Sequence, residues 1–106
     1  MADDVITEIE NEIRDNKVMI YMKGTPSFPQ CGFSATTIEI FEELGRPFNS
    51  VDILSNPAKR EGIKRYSNWP TIPQIYVDGK FIGGCDIVRE MHQRGELKRL
   101  LDTSFG

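Results

Sequence analysis

Cysteine and histidine are scarce in this chain of 106 residues: two of the first, Cys31 and Cys85, and one of the second, His92. Two thiols are too few for the disulfide framework of a small secreted domain or for a four-ligand structural zinc site. Any metal they hold needs ligands from outside the chain. Basic charge is also in short supply, with 13 Lys and Arg against 16 Asp and Glu, a formal charge of −3 and a pI near 5.1. Without a large positive field the chain is a poor grip for phosphate backbones, so nucleic acid is not an expected partner. No apolar run approaches the roughly 18 residues of a membrane span, and Met1-Ala2-Asp3-Asp4 is acidic where a secretory signal is basic and then apolar. The expectation is a cytoplasmic protein without membrane association.

What is present is an ordinary globular composition, 39% hydrophobic and 27% charged, at a length that suits a single domain over residues 1–106. Ile6, Ile9 and Ile13 form one apolar stripe at helical spacing near the N-terminus. The continuous apolar run Val18 to Met22 predicts a strand covered on both faces. A helix is expected from about Cys31 to Leu44, stopped by Gly45, and a strand from Phe48 to Ile53. Asn56-Pro57 supplies an N-cap and a first-turn proline for a helix to about Tyr66. Asp78-Gly79 joins two short strands, Gln74 to Val77 and Lys80 to Ile82, in an antiparallel hairpin. Asp86 is expected to cap a last helix to Arg94, with Gly95 breaking it before a final turn around Leu97, Leu100 and Leu101. Two strand-helix units followed by a hairpin imply an α/β protein, a mixed sheet with helices on both faces. Ligands of such sheets sit beyond the strand ends, here the Lys23 to Cys31 loop, the Trp69 to Pro73 turn and Gly83-Gly84.

Cys31 falls at the expected N-terminus of a helix, where unpaired N–H groups and the helix dipole favour an anion, with Lys23 at the adjoining strand end. Both effects favour thiolate. Ser34 stands three residues on, where a dithiol would carry its resolving cysteine, and a hydroxyl cannot close a disulfide. The sole histidine, His92, is read as part of a solvated helix face, and Lys59 as a surface charge.

The run Cys31-Gly32-Phe33-Ser34, with Lys23-Gly24-Thr25-Pro26 before it and Trp69-Pro70-Thr71-Ile72-Pro73 and Gly83-Gly84-Cys85-Asp86 after it, resembles the signature set of CGFS monothiol glutaredoxins. The resemblance spans essentially the whole chain and is to the short, single-domain members. It implies a thioredoxin-like (glutaredoxin) fold with a central four-stranded mixed sheet flanked by helices. It also implies a glutathione site. In it Lys23 and Arg60 meet carboxylates of the tripeptide, and the backbone of Ile72, turned outward by a cis proline at Pro73, pairs with the cysteinyl part. Backbone N–H groups at Gly84 and Cys85 receive the γ-glutamyl carboxylate, and Asp86 takes the ammonium. Cys85 is read as acting mainly through its backbone, although its thiol could also be a ligand or a disulfide partner. Trp69 packs beside the site or forms a lid on the core.

A [2Fe–2S] cluster takes four thiolates, and one chain offers one well-placed cysteine. The resemblance therefore implies a homodimer when cluster-bound, with Cys31 and glutathione from each side as ligands. It also implies transfer to apo iron–sulfur proteins, with BolA-type proteins as partners. The alternative on the same residues is a glutathione-dependent oxidoreductase in which Cys31 acts alone on mixed disulfides.

Overall fold

Five successive apolar residues, Val18–Met22, form strand β1, and all five are buried. A computed structural model describes residues 2–106, with side chains from Asp4 onward; Met1, the first residue of the expected 1–106 domain, lies outside the described residues. Around β1 the elements run α1 (Ala2–Asp15), α2 (Gly32–Leu44), β2 (Asn49–Asp52), α3 (Pro57–Ser67), β3 (Gln74–Val77), β4 (Lys80–Gly83), α4 (Cys85–Gln93) and α5 (Glu96–Phe105). The sheet has four strands in the order β2-β1-β3-β4, with β1 parallel to β2 and antiparallel to β3, and β3 antiparallel to β4. This is the mixed sheet expected from two strand-helix units and a hairpin.

Successive side chains of a strand point to opposite faces, so β1 feeds two cores at once. Val18, Ile20 and Met22 pack with Ile38 and Phe41 of α2, Val88 of α4, and Leu97 and Leu101 of α5. Met19 and Tyr21 pack with Ile9 and Ile13 of α1, Ile63 of α3, and Tyr76 of β3. Each fully buried aliphatic side chain contributes about 1.5 to 3 kcal/mol. Helices α1 and α3 approach closely because Gly62 has no side chain: a Cβ there would stand 2.4 Å from Val5 Cγ1.

Local punctuation works as its chemistry predicts. Asn56 caps α3 by accepting from the Lys59 N–H at 3.2 Å, and Pro57 takes the first turn. Asp78 and Gly79 have φ of 52° and 79°, the two positive values a tight hairpin needs. Gly45 ends α2 in the left-handed region with φ 73°. Three expectations change. Strand β2 covers Asn49–Asp52 rather than Phe48 to Ile53. The final turn is a full helix, α5, because Leu97 and Leu101 have a core to fill on the α2 and α4 side. Asp86 does not cap α4: the cap is Gly84, and Asp86 lies inside the first turn.

Candidate functional site

Cys31 is the N-cap of α2, held in extended backbone at φ −154° and ψ 136°, and its carbonyl accepts the first helical bond from the Ala35 N–H at 2.9 Å. An extended N-cap residue sets its side chain before the first turn, in front of N–H groups that have no helical partner. The Ser34 N–H does most to hold the Cys31 thiol below its ordinary pKa. Partial burial opposes that shift, while the Phe33 N–H, the Lys23 charge and the Ser34 hydroxyl reinforce it. The position therefore favours the thiolate.

Ser34 is itself fully buried, and its Oγ accepts from the Lys23 N–H at 3.1 Å. That bond ties the end of β1 to the start of α2, so the residue standing where a resolving thiol would be is a structural brace. The loop between them is fixed by more bonds of the same kind. Gln30 N–H donates to the Lys23 carbonyl at 2.8 Å, and Thr25 and Phe28 exchange backbone bonds at 3.2 and 3.0 Å. Gly24, at φ 90°, leaves no room for a side chain, since a Cβ would lie 2.4 Å from the Phe28 carbonyl oxygen. Asp52 at the end of β2 accepts from the Gly24 N–H and the Leu54 N–H, both at 2.9 Å. Asp52 is a supporting residue that no motif announces; its signal is an acid at the end of a strand beside a loop of unpaired N–H groups.

Beside this loop runs a groove of about 270 Å³, walled by Phe33, Trp69, the Thr71-Ile72-Pro73 turn and the Gly84-Cys85-Asp86 segment. The Ile72-Pro73 bond is cis, as the resemblance implies. Of the expected site residues, Ile72, Cys85 and Asp86 line this groove, and Phe33 connects it to the thiol. Lys23 adjoins Cys31 across the Ser34 brace, whereas Arg60 stands on the first turns of α3, off the groove wall. Neither Lys23 nor Arg60 has an acidic side-chain partner among the described residues. Lys59 differs from its neighbour: it is not an exposed charge but pairs with Glu12 of α1, which also accepts from the Tyr21 hydroxyl at 2.8 Å. Asp86 is largely exposed, with Arg89 at 3.3 Å as a weak partner. Cys85 is buried at 6% exposure, and both cysteines are free thiols. His92 faces Glu43 at 3.3 Å.

Apolar side chains crowd this end of the molecule. Phe28, Phe33, Trp69 and Ile87 are 75%, 60%, 43% and 45% exposed, four of the six large hydrophobic residues left in solvent among those described. Trp69 stacks obliquely on Phe81 at 5.9 Å, so it is part lid and part groove wall. No group of three or more His, Cys, Asp or Glu converges among the described residues. No helix among them is long and apolar enough to cross a membrane.

The glutaredoxin family profile matches residues 18–82, from the start of β1 to the hairpin. A monothiol glutaredoxin of Synechocystis is 50% identical over 92% of this chain and 91% of its own length. The solution structure of reduced poplar apo GrxS14 superposes with a TM-score of 0.81 at 47% identity, covering 93% of this chain and 91% of that one. The buckwheat glutaredoxin–glutathione complex gives a TM-score of 0.86 at 22% identity, covering 97% and 92%, a likeness of fold. With this fold, a single thiol at the helix N-terminus, a buried serine where a second would stand and that degree of identity along nearly its full length, the chain belongs to the glutaredoxin family, among its monothiol members.

Proposed function

We propose that the protein binds glutathione in the groove beside Cys31 and carries a [2Fe–2S] cluster as cargo between two copies of itself, for delivery to apo iron–sulfur proteins. The observation that carries this reading is the pairing of one thiolate-favouring cysteine with a buried, bonded serine at the resolving position. A thiolate with a serine at the resolving position cannot close a disulfide there, but it can ligate iron.

The donor set fits glutathione. Lys23 and Arg60 are cations without acidic partners among the described residues, suited to its carboxylates. The N-terminal turn of α4 at Gly84 and Cys85 offers backbone N–H groups for the γ-glutamyl carboxylate, and the exposed Asp86 carboxylate suits its ammonium. The buckwheat complex carries glutathione on this same fold. For the cluster, the chain supplies one accessible sulfur, so two Cys31 thiolates and two glutathione thiolates complete the set of four. The exposed collar of Phe28, Phe33, Trp69 and Ile87 suits a face covered by a second copy, by a BolA-type partner or by an apo iron–sulfur client.

The test is anaerobic reconstitution with iron and sulfide, with and without glutathione and with no other thiol. The reading predicts roughly one cluster per two chains only when glutathione is present. Equal cluster yield without it overturns the shared-ligand arrangement, and efficient multiple-turnover reduction of glutathione mixed disulfides by a cluster-free monomer would favour the oxidoreductase instead.

A further inference from the structure

Gln74, the first residue of β3, is fully buried. Its Nε2 donates to two carbonyls of the turn before it, Trp69 at 3.0 Å and Thr71 at 3.2 Å, and its Oε1 accepts from the Tyr76 hydroxyl at 3.1 Å. Two carbonyls on one side and a hydroxyl on the other settle which end of the amide carries the nitrogen. Burial pushes the Tyr76 phenol up to about 12, so it stays a donor at neutral pH. Every bond Gln74 makes at its nitrogen therefore goes into one turn.

The two carbonyls have different consequences. The Trp69 carbonyl belongs to a peptide bond with Pro70, which has no N–H, so holding it only anchors the chain beside the indole. The Thr71 carbonyl shares a trans peptide plane with the Ile72 N–H. In such a plane the two groups point in opposite directions and cannot turn independently. With the Thr71 oxygen drawn inward onto Gln74, the Ile72 N–H is directed to the other side, and no acceptor meets it among the described residues. Thr71 and Ile72 both wall the groove.

We propose that Gln74 is a positioning residue, which aims the Ile72 N–H into the groove through the Thr71–Ile72 peptide plane so that the cysteinyl backbone of glutathione can pair with it. This rests on the glutathione reading above. Gln74 touches no ligand itself; it removes the rotation of one peptide that would otherwise have to be ordered when the tripeptide binds.

The decisive variant is Gln74→Met, which keeps the length and volume of the side chain and removes both donors. Reduced glutathione is titrated into metal-free protein by calorimetry, the Cys31 alkylation rate with iodoacetamide is measured, and Trp69, the chain's one tryptophan, reports the turn by its emission. Loss of a buried bond of this kind predicts a glutathione Kd raised about tenfold, with the alkylation rate within about twofold of wild type. A Kd equal to that of wild type in a folded variant overturns the proposal. So does a fall in alkylation that matches the loss of binding, since that would mean general distortion. If wild type itself binds no glutathione, the functional reading fails, and Gln74 is judged on geometry: unchanged Trp69 emission and an unchanged Ile72 amide resonance in Gln74→Met overturn the clamp, while shifts in both uphold it. Should Gln74→Met not fold, Tyr76→Phe frees only the Oε1 end and is expected to raise the Kd two- to fivefold, and no change there overturns the proposal.

Discussion

Helices α2 and α4 both begin with a glycine and a cysteine beside the groove, yet the two cysteines have opposite surroundings. Cys31 precedes its helix as the N-cap, in extended backbone, half-buried and facing the N–H groups of Phe33 and Ser34. Cys85 follows its cap, Gly84, and so lies inside the first turn, buried at 6% exposure. One residue of offset separates them. A side chain at the cap looks at the unpaired donors of the helix end, whereas one in the first turn is set by helical backbone and, at Cys85, is buried. The same residue type thereby has surroundings that favour the thiolate in one helix and a buried place in the first turn of the other.

Three residues after each cysteine the contrast repeats, Ser34 against Val88, both fully buried. Exchanging their chemistry gives the largest expected effects on stability. Val88→Ser removes apolar contact from the core and buries a hydroxyl, and should cost about 3 kcal/mol in chemical denaturation. Ser34→Ala leaves the Lys23 N–H without its acceptor and should cost about 1 to 3 kcal/mol by the same measurement. If Val88→Ser were as stable as wild type, the two helix starts would not be differentiated by packing at all.

The glycines sharpen the comparison next. A Cβ on Gly83 would lie 2.7 Å from the Ile87 Cβ, and φ there is 138°, so Gly83→Ala should cost about 1 to 3 kcal/mol. A Cβ on Gly32 meets nothing within 4 Å, and Gly32→Ala should change stability by no more than about 0.5 kcal/mol. Equal costs would contradict the claim that α4 is entered through a tight backbone and α2 through an open one.

The smallest effect is a pH dependence confined to Cys31. Its folded pKa lies below the ordinary thiol value, so folding favours the thiolate. The stability this adds is present in full above the ordinary thiol pKa and is lost as pH falls through the depressed folded pKa. The unfolding free energy of wild type minus that of Cys31→Ser should therefore rise with pH across that window and then level off, and iodoacetamide alkylation should reach half its maximum below the pH found for a free thiol. A difference that falls with rising pH would place the sulfur away from the α2 N-terminus.

Much of this was legible in the sequence, where local chemistry alone decided the outcome. Val18–Met22 is buried on both faces because no polar residue interrupts it, Asp78-Gly79 turns because both positions accept positive φ, and Cys31 heads a helix because apolar periodicity begins after it. What failed to show depends on how the folded backbone presents its groups, often across distant parts of the chain. Gly83, at φ 138°, turns the backbone into α4 two residues early, which takes the cap from Asp86 and gives it to Gly84. Lys59 is paired because Glu12, on another helix, is packed against it, and Leu97 and Leu101 extend a turn into α5 because α2 and α4 present a surface to cover. Asp52 was announced only by its place at a strand end, since the Gly24 N–H it receives is 28 residues away, and Gln74 was not announced because its partners, although near in sequence, are carbonyls that only the folded turn presents to it.

The central claim is that the two helix starts divide the work, a sulfur from one and backbone donors from the other. Cys31→Ser and Cys85→Ser, reconstituted side by side with iron, sulfide and glutathione and assayed for iron, acid-labile sulfide and bound glutathione, test it directly. The account predicts that Cys31→Ser holds no cluster, while Cys85→Ser keeps its N–H donors and nearly the full wild-type content. Loss of iron from a folded Cys85→Ser to the level of Cys31→Ser would contradict it.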